Sequence, residues 1–167
     1  VSAFLLNRSS DLAILILYAN GNIDLMNDDG DVWNIADLKI KQLSGTSKVA
    51  DSVRMHDGYA YLAMPFGIMQ VNLRRHEIAD TYYIGPEGAD LNVEAVGFCN
   101  DSIYATSGSS LYAAAQQANL VDYHVWTPRS LPASEPIMEA LKPVPHDTIR
   151  SRGDTFIAGG TGGIVLI

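Results

Sequence analysis

Cysteine is almost missing from this chain. Cys99 stands alone, so no internal disulfide can form. That excludes the small secreted scaffolds stapled by bridges. It fits a reducing cytosol and equally those periplasmic and surface proteins that do without disulfides. Basic residues are scarce as well: 11 Lys and Arg against 19 Asp and Glu give a net charge of −8, with the acidic groups scattered rather than massed. With no basic patch to neutralise phosphates, no nucleic-acid partner is expected. Long apolar runs are also lacking. The longest, "LAILILYA" (Leu12–Ala19), is too short to span a bilayer, so no membrane insertion is expected. It reads instead as a strand buried on both faces. No signal-like segment is visible, the chain opens at Val1, and it ends in "GGIVLI" partway through an apparent strand. Both ends are expected to be those of a piece of something longer, so the missing export signal excludes nothing.

What is present is a repeat. A hydrophobic content of 47% over 167 residues excludes a disordered tail and suffices for a core. Four segments share one grammar: "LILYANGNIDLM" (15–26), "AYLAMPFGIMQV" (60–71), "SIYATSGSSLYA" (102–113) and "TFIAGGTGGIVL" (155–166). Each is an apolar strand, a small or turn-forming tip and a second apolar strand, which is a β-hairpin pattern. The aliphatic residue past each tip is Ile23, Ile68, Leu111 or Ile164, at spacings of 45, 43 and 53. A polar reversal precedes each hairpin: Ser10-Asp11, Asp57-Gly58, Asn100-Asp101 and Gly153-Asp154. A period of 43–45 residues with several strands per unit is that of a propeller blade.

The second unit divides into "KVADSVRMHD" (inner strand), "YAYLAMP", "GIMQVNLR" and "HEIADTYYI" (outer strand). The third divides into "NVEAVGFCN", "DSIYATSG", "SSLYAAAQQ" and "DYHVWTPRS". Alanines crowd the middle strands (Ala60, Ala63, Ala105, Ala113), where blades approach closely. Aromatics gather on the outer ones (Trp33, Tyr82, Tyr83, Tyr123, Trp126), where a blade widens. The expected fold is therefore all-β: a partial β-propeller of about three and a half four-stranded antiparallel blades. The blades fall near residues 1–44, 45–88, 89–131 and 132–167, the last incomplete, in a single domain. About ten extra residues lie in "LPASEPIMEALKPVPHD" (131–147), read as a loop with one helical turn at "IMEAL" and Ser134 as its cap. A short helix in "AAQQANLVDY" is a further expectation.

"AGGTGGIV" (158–165) has no Gly-Lys-Ser/Thr and leads into a strand, so it is a hairpin tip rather than a phosphate loop. "NDDGD" (27–31) resembles a calcium loop, but Leu25 and Ala36 occupy the positions of its first ligand and its bidentate acid, which makes it a turn. His56, His76, His124 and His146 show no metal-ligand spacing. His56-Asp57 sits at a predicted reversal and reads as a solvated turn. No G-x-S-x-G occurs. Cys99, at the end of an inner strand, reads as a buried structural thiol. Tyr82, Tyr83 and Trp126 could stack on a sugar ring, but packing between blades is the preferred reading. No catalytic, cofactor-binding or metal-binding residue is assigned, no cofactor is expected, binding residues stay unassigned, and no enzymatic activity is expected.

Three stretches carry a family resemblance: "YANGNIDLM" (18–26), "AYLAMPFGIMQVNLRRHEIADTYYIGPEGADLNVEAVGF" (60–98) and "NLVDYHVW" (119–126). They resemble the N-terminal β-propeller of PorZ-type proteins of the bacterial type IX secretion system, over roughly residues 11–127. The most specific element is "FGIMQVNLRRHEIADTYYIGPEGADLNV" (66–93). The hairpins alone would also suit two-component regulator propellers. The resemblance implies a large protein of the bacterial cell surface or periplasm, with two propellers and a C-terminal sandwich. Such a protein acts in sorting and anchoring secreted cargo, with an anionic lipopolysaccharide nearby. Two departures stand out: the tip "TSGSS" reads as one residue longer than the second tip, and 131–147 matches nothing in the family.

Two functions compete on this basis. One is a non-enzymatic scaffold of a PorZ-like secretion component, whose partners are other envelope or secretion proteins and, among ligands, lipopolysaccharide or polysaccharide. The alternative is the extracellular polysaccharide-sensing propeller of a hybrid two-component regulator. A lyase or glycosidase propeller would need paired carboxylates, and no Asp or Glu spacing suggests them. An open arc of blades is further expected to self-associate, covering its free faces.

Overall fold

A computed structural model of the chain describes residues 2–7, 12–27, 29–40, 47–130, 137–138, 141, 149–152, 155–160 and 163–166. Among the described residues the strands form four antiparallel meanders, three of four strands and one of three, and the chain is a partial all-β propeller. The first sheet holds β1 (Ser2–Asn7), β2 (Leu12–Leu17), β3 (Ile23–Asn27) and β4 (Val32–Ile35). The second holds β5 (Ser52–His56), β6 (Tyr59–Met64), β7 (Gly67–Asn72) and β8 (Glu77–Tyr82). The third holds β9 (Ala95–Cys99), β10 (Ser102–Ser107), β11 (Ser110–Ala115) and β12 (Thr127–Ser130). The last holds β13 (Ile149–Arg152), β14 (Thr155–Gly160) and β15 (Gly163–Leu166). Residues 1–49 with 145–167 form one compact unit, and residues 50–144 another.

Local turn chemistry sets the register. Asp57 and Gly58 both have positive φ (45° and 86°), as do Asn100 and Asp101 (47° and 56°), the backbone that a two-residue hairpin of matching twist requires. His56 therefore pairs with Tyr59, and Cys99 with Ser102. The reversals at Ser10-Asp11 and Gly153-Asp154 lie outside the described residues. At the opposite strand ends the second and third sheets both close on two-residue tips, between Met64 and Gly67 and between Ser107 and Ser110. The third tip is thus no longer than the second, contrary to the sequence comparison. The first is the long one: Tyr18 N–H donates to Asn22 O at 2.9 Å across three residues. In every sheet the marker aliphatic comes directly after the pair closing the tip. Ile23, Ile68 and Leu111 are buried there, and Ile164 holds the same register opposite Gly159.

Gly67 has a structural reason to be glycine. Its φ is +145°, and a Cβ there would run into the carbonyl oxygen of Tyr82 on the neighbouring outer strand. The tip can be this tight only without a side chain.

In the first sheet, Ile14 and Leu15 are both buried, so "LAILILYA" is covered on two faces as its composition suggests. Ile23, Leu25, Ile35 and Leu38 complete that core. Leu38 comes from a single α-helical turn, α1 (Asp37–Ile40), which is too short to show a period in the sequence. In the second unit, the second and third sheets pack face to face. Tyr61, Ala63, Ile68, Tyr82 and Ile84 meet Val93, Val96, Ile103, Ala105, Ala114 and Trp126. Ala63, Ala105 and Ala114 let the middle strands approach, and the aromatics fill the wider outer space. The other face of the third sheet, Ala95, Tyr104, Leu111 and Ala113, is covered by Ile137 and Leu141. Ile137, Met138 and Leu141 are helical, as expected for "IMEAL".

The stretch after β11 departs from expectation. "AAQQANLVDY" forms the end of a strand and turns, not a helix, and Tyr123–Val125 is one turn of 3-10 helix rather than outer strand. The Asp122 side chain accepts from the His124 N–H and caps that turn, delaying the outer strand to Thr127.

Candidate functional site

Three groups of polar side chains in the second unit link one strand or sheet to another. The first is a buried ladder across β6, β7 and β8. Register sets Tyr61 opposite Gln70, and Tyr82 diagonal to it. Gln70 Nε2 donates to Tyr61 Oη at 2.7 Å, and Tyr82 Oη donates to Gln70 Oε1 at 2.8 Å. Burial pushes both phenols above the ordinary tyrosine range, Tyr82 the further of the two. Both remain neutral hydrogen-bonding groups at physiological pH. Among the described residues no buried side-chain polar atom lacks a partner.

The second group lies where the inner strands end. The His56 ring stacks on Phe98 of the next sheet, centroids 3.9 Å apart and planes 8° from parallel. Its Nε2 faces Gln116 Oε1 at 2.8 Å and Asp57 Oδ2 at 3.5 Å. Arg54, on the same face of β5, donates from Nε to Val96 O at 3.4 Å. His56 is thus a bridge between blades rather than the solvated turn residue its sequence context suggested. Asp57 beside it is exposed.

The third group is at the rim. Tyr123 stacks on His124 at 3.9 Å and donates to Glu87 Oε2 at 3.1 Å, joining the 3-10 turn to the "GPEG" reversal. Reduced solvation, with Glu87 as hydrogen-bond acceptor, pushes the Tyr123 phenol up. His124 Nδ1 lies 2.7 Å from Asp122 Oδ1, and this contact holds the Asp122 carboxyl below its usual range. "DTYYIGPEGADLNVEAVGF" is therefore a crossing from β8 to the next inner strand, fastened at the rim by Tyr123.

The singled-out residues do not converge. Tyr82 and Trp126 are 4% exposed and pack on each other at 6.4 Å, so their role is packing between blades; Trp126 Nε1 donates to Leu120 O. Tyr83 is half-buried and near Phe66. Cys99 is half-buried against Tyr104 and its neighbours. His76 sits in the β7–β8 turn with φ 54°, and His146 lies outside the described residues. "NDDGD" is a turn closed by Asn27 N–H to Asp31 O at 3.1 Å. "AGGTGGIV" spans the β14–β15 hairpin, with Gly160 opposite Gly163. Among the described residues, no three His, Cys, Asp or Glu side chains are placed to hold a metal ion. No described helix is long and apolar enough to cross a membrane. The Gln70 ladder and the His56 bridge escaped sequence reasoning. The one available signal was a glutamine inside the otherwise apolar "GIMQV".

Among curated proteins, none matches this sequence. Among solved structures, the chain resembles PorZ, an essential bacterial surface component of the type IX secretion system of Porphyromonas gingivalis. Identity is 25% and the TM-score 0.62, over 87% of this chain and 18% of that one. A weaker likeness is to apo AztD from Citrobacter koseri, with 16% identity and a TM-score of 0.45, over 75% of this chain and 33% of that one. The chain thus spans about a fifth of the PorZ structure it resembles. The model of the type IX secretion PorZ N-terminal β-propeller domain matches residues 7–127. On that match, which runs from the last residue of β1 to the first of β12, the chain belongs to the PorZ N-terminal β-propeller family.

Proposed function

We propose that this propeller is a non-enzymatic scaffold of a PorZ-like secretion component, binding other envelope or secretion proteins at the bacterial surface. The observation that carries this reading is the family match over residues 7–127, and it favours secretion over polysaccharide sensing. The use made of polar residues supports it. The Tyr61–Gln70–Tyr82 ladder, the His56 bridge and the Tyr123 clasp fasten one strand or blade to the next. Such a build suits a rigid platform for partners. The test is affinity recovery of the tagged full-length protein from solubilised envelopes. Recovery together with other type IX components is expected. Recovery together with a sensor kinase module, or with no partner, would overturn the proposal.

A further inference from the structure

The outer strands of the three four-stranded sheets differ in how their free edges are protected. β8 is broken by a bulge at Ala79, where the register skips from Gln70–Asp80 to Val71–Ile78, and carries exposed Asp80. β12, "TPRS", contains Pro128, which has no N–H to offer, and the charged Arg129. Bulges, prolines and charges are the usual protections against an added strand. β4, "VWNI", has none of them.

The hydrogen-bond phase of β4 shows which groups its edge presents. Asn27 N–H donates to Asp31 O, so that pair is of the hydrogen-bonded kind. Antiparallel pairs alternate, so Leu25–Trp33 and Ile23–Ile35 bond within the sheet, and the backbone N–H and C=O of Val32 and Asn34 point outward. Val32 is 56% exposed, the second most exposed large apolar side chain among the described residues. The exposed Asn34 side chain donates to Asp24 Oδ1, directly opposite on β3, at 2.6 Å. β4 itself is therefore uncharged, whereas its two ends are acidic: Asp29 and Asp31 lie before it and Asp37 after it, all exposed.

We propose that the β4 edge takes up an extended segment of a partner protein as a fifth strand, with β-branched residues at its centre and Lys or Arg at both ends. Backbone pairing with Val32 and Asn34 would supply affinity, and the flanking carboxylates would select the basic ends. The net charge of −8 steers the same kind of partner. This inference deepens the protein-binding reading above and rests on it.

The test uses the whole chain and a capped heptapeptide, KTVTVTK, with ETVTVTE as its control. On adding the basic peptide, amide exchange at Val32 and Asn34 should slow, and the acidic peptide should have no effect. Val32→Lys, an exposed substitution of the kind that protects natural edges, should weaken binding at least tenfold while leaving the far-UV spectrum unchanged. Asp29→Lys with Asp37→Lys should weaken binding and flatten its salt dependence. Equal binding by the Val32→Lys chain, or no binding at millimolar peptide, would overturn the assignment. So would concentration-dependent protection of Val32 and Asn34 without peptide, which would make a second copy the occupant. Failure here would leave recovery of envelope partners by the full-length protein untouched, so the two proposals fall separately.

Discussion

Replacing Gln70 with leucine tests how the second blade is held together. Gln70 is 9% exposed, and its amide is the shared partner of two buried phenols, at 2.7 and 2.8 Å. Leucine would leave both hydroxyls without that partner. A buried polar group deprived of its partner costs about 1–3 kcal/mol, so two cost about 2–6 kcal/mol. The added apolar burial of leucine returns about 1 kcal/mol. The expected net loss is about 1–5 kcal/mol, a fall of several degrees in Tm at about 2–4 °C per kcal/mol for a chain of this size. The triple variant Tyr61→Phe, Gln70→Leu, Tyr82→Phe removes every member of the ladder, strands nothing, and should cost under about 1 kcal/mol. Urea unfolding followed by Trp126 emission, in a Trp33→Phe background, reads the second unit directly, because Trp126 packs on Tyr82. If Gln70→Leu costs nothing, or the triple variant costs as much as the single one, the ladder argument fails.

Other consequences follow from the same geometry. Gly67→Ala should destabilise by about 2–4 kcal/mol, from strain at positive φ and collision with Tyr82 O, measured by urea midpoint; a neutral result would contradict the tip geometry. Asp101→Gly should stabilise by about 0.5–1 kcal/mol, because glycine accepts the 56° φ that aspartate tolerates poorly; a loss of stability would count against the two-residue turn. Leu141→Ala should cost about 2–4 kcal/mol and speed exchange of β10 and β11 amides, since Leu141 covers Tyr104 and Leu111; unchanged exchange would deny the helical turn its covering role. Stability should be full below about pH 10 and fall above it. There the unfolded phenols ionise first, while Tyr61 and Tyr82 hold their protons in the fold. Urea midpoints from pH 8 to 11 measure this, and the slope should be shallower in Tyr82→Phe.

Much of this fold can be read from the chain. Asp57-Gly58 announces a two-residue reversal, and "YAYLAMP" with "GIMQVNLR" brackets a hairpin whose strands are β6 and β7. Of the four alanines that the sequence singles out, Ala63 and Ala105 lie where the second and third sheets meet, whereas Ala113 lies on the other face of the third sheet. Pattern failed where a residue's partner lies far along the chain. Gln70 looks like a solvent-facing polar position, yet both faces of β7 are covered, and its partners are nine and twelve residues away. His56 looks like part of a turn because Asp57-Gly58 follows, while the ring that holds it, Phe98, belongs to the next blade. The 3-10 turn at Tyr123 hid because "DYHVW" alternates like a strand, and only the Asp122 cap tells them apart. The open edge of β4 is legible only by contrast, once β8 and β12 are seen to carry a bulge and a proline.

The most direct test of the central claim is to delete the gene in its own bacterium and assay export of type IX cargo. The scaffold account predicts that cargo accumulates inside the cell and that export returns with the full-length protein. Normal export, together with loss of growth on a single polysaccharide, would contradict it and point to a sensor instead.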